Sequence, residues 1–187
     1  MKRSLIAAAA MCLPLCTYAA QSEVKAVPAD SSVRTTVEGK IQPPVSYANL
    51  WADDKGETHI GHCRLEGLDY KSYAPPAAPQ WIGVSPDQVE SIAYAVLPPG
   101  YVGSWHSAPG PQWVITLSGK WSVESSDGSK LVQGPGEMQF NGDHGAKGKG
   151  GHNGHISRTL GTEPNVQLII KLKAGAKVPQ SAMDCQY

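Results

Sequence analysis

The chain has 187 residues, with 16 Lys and Arg against 16 Asp and Glu, 41% hydrophobic residues, 20 glycines and 15 prolines. That length fits one domain of ordinary size once a leader is set aside. Neither a basic stripe nor an acidic tract is present, which excludes the electrostatic footprint of a nucleic-acid binder or of a protein held to an anionic membrane.

Residues 1–19 read as an export signal: a basic start at Lys2 and Arg3, an apolar core from Leu5 to Leu15, and Thr17-Tyr18-Ala19 as the cleavage site. The apolar core, interrupted by Pro14, is shorter than the about 20 residues a membrane-spanning helix needs. Leu15 before Cys16 and Met11 before Cys12 exclude a lipoprotein signal. The expected location is therefore periplasmic or secreted, with no membrane span. Cys12 and Cys16 leave with the signal. The two that remain, Cys63 and Cys185, would lie in an oxidising compartment, where a disulfide between them is expected and two unpaired thiols are the alternative.

Residues 20–44 read as an N-terminal arm, residues 45–173 as the folded domain and residues 174–187 as a C-terminal tail. Val45 to Trp51 and Glu57 to Leu65 read as strands around a turn at Ala52-Asp53-Asp54-Lys55-Gly56. Residues 70–79 read as loop, because Pro75, Pro76 and Pro79 cannot feed a sheet. Ser85-Pro86-Asp87 predicts a single helical turn with Ser85 as its N-cap. Strands follow at Ile92 to Leu97, Gln112 to Leu117, Trp121 to Ser125, Lys130 to Gln133, Glu137 to Phe140, Ile156 to Leu160 and Val166 to Leu172. Asp127-Gly128 marks a hairpin between two of them. Short strands at turn-punctuated intervals with almost no helix mean a sandwich or small barrel. In Gln112 to Leu117, strict alternation puts Gln112, Val114 and Thr116 on one face and Trp113, Ile115 and Leu117 on the other. Whichever face points outward must be covered if it is the tryptophan face, by N-terminal strands or by a second subunit.

Gly100, His106, Gln112 and Gly119 fall on one frame, and the segment His106-Ser-Ala-Pro109-Gly-Pro-Gln112 lies inside it. This spacing resembles the first motif of the cupin superfamily, in the form found in small single-domain members with a His-X-X-Pro-X-X-Gln segment. Ala108 stands where that motif has its second histidine, and Gln112 where it has glutamate. Gly136-Glu137 resembles the opening of the second motif, and His155 is placed at the histidine of that motif, with His152 as the alternate and Thr159 where the motif has asparagine. The resemblance covers roughly residues 45–172. It implies an all-β, cupin-like jelly-roll β-barrel of a single domain, with His106, Gln112 and His155 lining one lumen site and the tryptophan face pointing outward. It also implies that a homodimer is one way to cover that face.

Two imidazoles and an amide oxygen are a donor set for a divalent transition metal (Fe, Mn, Zn or Ni). The same residues, with no metal, are hydrogen-bonding groups for a ligand. His144 and His152 lie on a glycine-rich loop, residues 141–155, that reads either as a lid or as a solvated surface loop. It is not a phosphate cradle, since Gly148-Lys149 is followed by Gly150 rather than Ser or Thr. Gly-X-Ser-X-Gly is absent, and Ser107 beside His106 points to the opposite face of an extended chain. His59 and His62 do not share a strand face and read as structural. Two functions stay open: an exported module that binds a small polar molecule in the lumen without catalysis, and a metal-dependent small-molecule enzyme of oxygenase, isomerase or lyase type.

Overall fold

A computed structural model of the chain describes residues 36, 37, 40, 41, 45–65 and 68–176, all within one compact unit. The expected signal at residues 1–19, most of the arm at 20–44, and Cys185 with its predicted pairing to Cys63 lie outside the described residues. Among the described residues no helix is long and apolar enough to cross a membrane.

The described elements run β1 (Thr36–Val37), β2 (Lys40–Ile41), β3 (Ser46–Ala52), β4 (Thr58–Arg64), β5 (Asp69–Lys71), β6 (Gln80–Ile82), β7 (Val89–Leu97), β8 (Gln112–Ser118), β9 (Lys120–Ser125), β10 (Lys130–Gln133), β11 (Met138–Gly142), β12 (His155–Leu160) and β13 (Asn165–Leu172). The turn-punctuated expectation holds for β3, β4 and β7–β13. The stretch 70–79 is loop as its prolines dictate, but short strands β5 and β6 flank it and pair with each other. Ser85 precedes a single 3-10 turn at Pro86–Gln88, and its hydroxyl hydrogen-bonds the Asp87 carboxylate instead of capping the turn.

The architecture is all-β and jelly-roll-like, as the resemblance implies. A six-stranded sheet in the order β4-β3-β11-β8-β13-β7 faces a three-stranded sheet in the order β10-β9-β12. The ladders are antiparallel except for β3 with β11, which run parallel. Gly119 lets the chain turn from β8 into β9. Its φ is +70°, and a Cβ there would lie 2.3 Å from the Pro164 carbonyl oxygen, so only glycine fits.

Register assigns the faces. Residues directly opposite in adjacent strands share a face, so Val114 is grouped with Gln139 and Ile169, and Trp113 with Phe140 and Ile170. On the first, inner face, Leu50 and Val114 pack with Trp121 and Val123 of the smaller sheet. There the Trp121 Nε1–H donates to Thr116 Oγ1 at 2.9 Å, joining the sheets. Gln112, Val114 and Thr116 therefore face inward and the tryptophan face lies outside. That outer face is covered from within the chain. Trp113, only 5% exposed, packs edge-on to Tyr47 and Phe140 with ring centroids 5.0 and 4.9 Å away, in a cluster with Cys63 and Leu172. Leu65, Val84, Val89 and Ala176 pack against this cluster. The cover ends short of β7, where Ile92, Tyr94 and Val96 stay exposed.

Candidate functional site

Three elements bring His106 and His155 together. His155 opens β12 and lies opposite Ser125, in register with Ser157 opposite Val123 and Thr159 opposite Trp121, so it belongs to the inward row. The segment approaching β8 runs antiparallel to β12, with bridges at Val102–Arg158 and His106–His155. The two histidines exchange backbone bonds, His106 N–H to His155 C=O at 2.9 Å and His155 N–H to His106 C=O at 2.8 Å. Because directly opposite residues share a face, the rings meet, with centroids 4.4 Å apart. Gly154 permits this approach. At φ +84°, a Cβ on it would sit 2.2 Å from the His106 carbonyl oxygen.

Each ring has one nitrogen already engaged. His155 Nδ1 lies 2.7 Å from Asp143 Oδ2, with the His155 side chain 3% exposed and that of Asp143 fully buried. The other Asp143 oxygen accepts from the Ala108 N–H at 3.4 Å. His106, which is exposed, has Nδ1 2.8 Å from the Ser104 carbonyl oxygen. An ionised carboxylate and a carbonyl only accept, so in the neutral form both rings carry their proton on Nδ1 and leave Nε2 as a lone-pair acceptor. Two Nε2 acceptors on rings whose centroids are 4.4 Å apart suit a ligand that donates hydrogen bonds. They also suit a metal, because metal-binding histidines typically have the other ring nitrogen bonded to a carboxylate or backbone carbonyl.

The remaining expected residues are placed as follows. Gln112 is half-buried on β8, between Asn141 of β11 and Lys171 of β13. His152 is exposed and stacks flat on Trp105, with centroids 4.2 Å apart and planes 10° from parallel. His144 is exposed. His106 and His155 belong to no described group of three or more His, Cys, Asp or Glu donors spaced to share an ion. Among the described residues, His, Cys, Asp and Glu therefore supply this pair with no third donor of that kind.

Asp143 was not singled out by its position in the sequence. It sits in the glycine-rich stretch 141–155, where nothing local marks an aspartate as the partner of a histidine twelve residues on. Along the inner face, many polar side chains accompany the apolar cluster. Asn141, Gln139, Gln167, Asn165, Ser157 and Thr159 are all buried. Gln139 donates to Asn141 and Gln167 to Asn165. Among the described residues, Gln133 Oε1, Gln139 Oε1 and Thr159 Oγ1 are buried with no hydrogen-bond partner.

A second cluster lies at the tip of the β3–β4 hairpin, where Asp53, Glu57 and His59 each offer a ligand atom within 4.8 Å of the others. His59, which the sequence suggested as structural, joins the Trp51 ring and the Asp53 and Asp127 carboxylates there. The signal was an acid, a turn, then Glu-Thr-His at the start of a strand, which sets Glu57 and His59 on one face. Burial acts to raise the Asp53 carboxyl, but the N–H groups of Glu57 and Lys55 and the His59 ring outweigh it and hold it below its ordinary value. Burial likewise acts to raise Asp127, and hydrogen bonds from Ser125, Ser129 and His59 leave it lowered.

No protein-family model matches the chain, and no curated protein matches it. Among solved structures it is similar to a cupin superfamily protein from Desulfitobacterium hafniense DCB-2, at 16% identity and a TM-score of 0.33, covering 59% of this chain and 81% of that one. It is also similar to protein NMB1881 from Neisseria meningitidis, at 17% identity and a TM-score of 0.32, covering 44% of this chain and 72% of that one.

Proposed function

We propose that the chain is an exported, cupin-like protein that binds a small polar molecule inside the sandwich, next to His106, Gln112 and His155, without catalysing its conversion. The observation that carries this reading is the unpartnered set Gln133 Oε1, Gln139 Oε1 and Thr159 Oγ1 among the buried amides and hydroxyls of the interior, with Gln133 and Thr159 in the row of Trp121. Buried polar atoms left without partners cost about 1–3 kcal/mol each. A neutral molecule rich in donor groups would satisfy them, and one long enough to span the about 13 Å from the Thr159 row to the His155 row, such as an extended polyol, would also meet the His155 ring. Export and a Cys63–Cys185 disulfide belong to the same reading, as does a homodimer covering Ile92, Tyr94 and Val96. Thermal-shift screening against a panel of sugars, polyols, amides and small acids tests it. A hit whose stabilisation disappears in His155→Ala is expected, and a panel with no hit at millimolar concentration counts against it.

A second reading is favoured by the pinned Nδ1 atoms of His106 and His155. They are prepared as metal ligands, with Gln112 as third donor, and an ion there would supply Lewis-acid or redox chemistry to a bound substrate. Elemental analysis of protein purified without chelator separates the readings. A stoichiometric first-row metal lost in His106→Ala supports an enzyme of oxygenase, isomerase or lyase type; absence of metal together with a ligand hit supports the binding module.

A further inference from the structure

We infer that Asp53, Glu57 and His59 form a zinc site at the tip of the β3–β4 hairpin, separate from the His106–His155 pair. Three observations point to it. The strand alternation sets Glu57 and His59 on the same face, and the Trp51 ring, opposite His59 in β3, packs against the imidazole with centroids 4.9 Å apart. This fixes the plane of the ring. Next, His59 Nδ1 lies 2.8 Å from Asp127 Oδ2, which accepts from it, so in the neutral ring Nδ1 carries the proton and Nε2 is the ligand lone pair. That is the carboxylate–histidine arrangement that orients a ligand imidazole and raises its basicity. Finally, Asp53 Oδ1 is occupied by the N–H groups of Lys55 and Glu57, both at 2.9 Å, which turns Oδ2 toward His59 Nε2.

The distance between these two atoms decides the matter. At 3.7 Å, Nε2 and Oδ2 are too far apart for a hydrogen bond of ordinary length, and each offers a ligand atom to the same space. Two ligands at tetrahedral angles with bonds of about 2.0–2.2 Å stand about 3.4 Å apart, so a small shift closes the pair on an ion. The Glu57 carboxylate lies within the same 4.8 Å group and supplies the third donor. One imidazole with two carboxylates favours zinc over magnesium or calcium, which take oxygen ligands. Water fills the fourth position.

The ion would brace the neighbouring site. The same hairpin tip accepts the Lys147 N–H on the Gly56 carbonyl, and Thr58 Oγ1 donates to the Gly154 carbonyl at 2.5 Å. Both contacts hold the loop that carries Asp143 and leads into His155. Metal at the tip therefore ties the β3–β4 turn, the Asp127 turn and that loop into one rigid corner.

The test is a zinc titration of EDTA-treated full-length protein by calorimetry, with magnesium and calcium as controls, paired with melting curves in zinc and in EDTA. Asp53→Asn keeps the oxygen that organises the turn and removes the anionic donor, and Glu57→Gln removes the other. The expected result is one zinc per chain at this site, at least tenfold weaker in each variant and unaltered in His106→Ala, with no response to magnesium. In EDTA Glu57→Gln should melt with the wild type and Asp53→Asn slightly below it, because the Asp53 charge also serves the turn, while the zinc-induced rise is lost in both. Absence of saturable zinc binding overturns the proposal, as does zinc binding that survives both variants or disappears in His106→Ala. Variants that melt below the wild type in EDTA and still show the full zinc-induced rise overturn it too, because the cluster would then be a structural ion pair.

Discussion

The two faces of the six-stranded sheet do different work. The outer face carries the aromatic cluster, Tyr47, Trp113 and Phe140 with Cys63 and Leu172, sealed by the segment around Leu65 and Val84. Toward the smaller sheet the apolar contribution is narrower, Leu50, Val114, Trp121 and Val123, and the rest of that face is amide and hydroxyl. In an ordinary sandwich the space between the sheets supplies the core. Here a large share of the burial has moved to the outside, which leaves the inside free to hold polar groups that a purely stabilising interior would exclude. The division teaches where to look for function: in the face that stability does not need.

Substitutions on each face test the division. Trp113→Ala should have the largest effect, about 3–5 kcal/mol of stability lost by the outer face, read as the shift in a urea unfolding midpoint. If Trp113→Ala costs less than Trp121→Ala, the interior is the main core after all. Gly154→Ala comes next. The methyl cannot coexist with the His106 carbonyl at 2.2 Å, and the positive φ adds strain of about 1–3 kcal/mol. Faster amide exchange at both His106 and His155 is the specific signature, since global destabilisation alone would raise exchange everywhere. Asp143→Ala leaves the His155 Nδ1–H buried without an acceptor, at about 1–3 kcal/mol. Asp143→Asn should recover most of that stability, because its amide oxygen can still accept.

Gln139→Leu sharpens the comparison from the polar side. It removes an unpartnered oxygen but also the donor to the buried Asn141 Oδ1, two opposing contributions of about 1–3 kcal/mol each, so the net change in stability should be small. Ligand binding inside the sandwich should weaken by at least tenfold. A strong loss of stability would mean the polar residues hold the fold rather than a ligand. The smallest effect concerns the hairpin corner. Asp53 and Asp127 are held below their ordinary values, so they contribute stability that is present above about pH 3.9, the unfolded carboxylate value, and is lost as pH falls through the lower folded value. Acid unfolding of Asp127→Asn should accordingly be less steep below that pH than in the wild type.

By itself, the sequence determined β3, β4 and β7–β13, because alternation and turn chemistry are local. Gln112 to Leu117 declares its two faces within six residues, Asp127-Gly128 declares its hairpin, and Gly119 marks a turn that tolerates no side chain. The glycine and histidine frame likewise singled out His106, and the motif resemblance placed His155 with His152 as the alternate. Only the tertiary structure decided what each face meets. The parallel pairing of β3 with β11 joins residues about ninety apart, and no local pattern encodes a partner at that distance. For the same reason the cover over Trp113, the Asp143 carboxylate behind His155, and the Asp127 carboxylate behind His59 could be found only in three dimensions. Hydrogen-bond partners of buried polar groups are selected by where the folded chain brings an acceptor, and the sequence on either side carries no record of that choice.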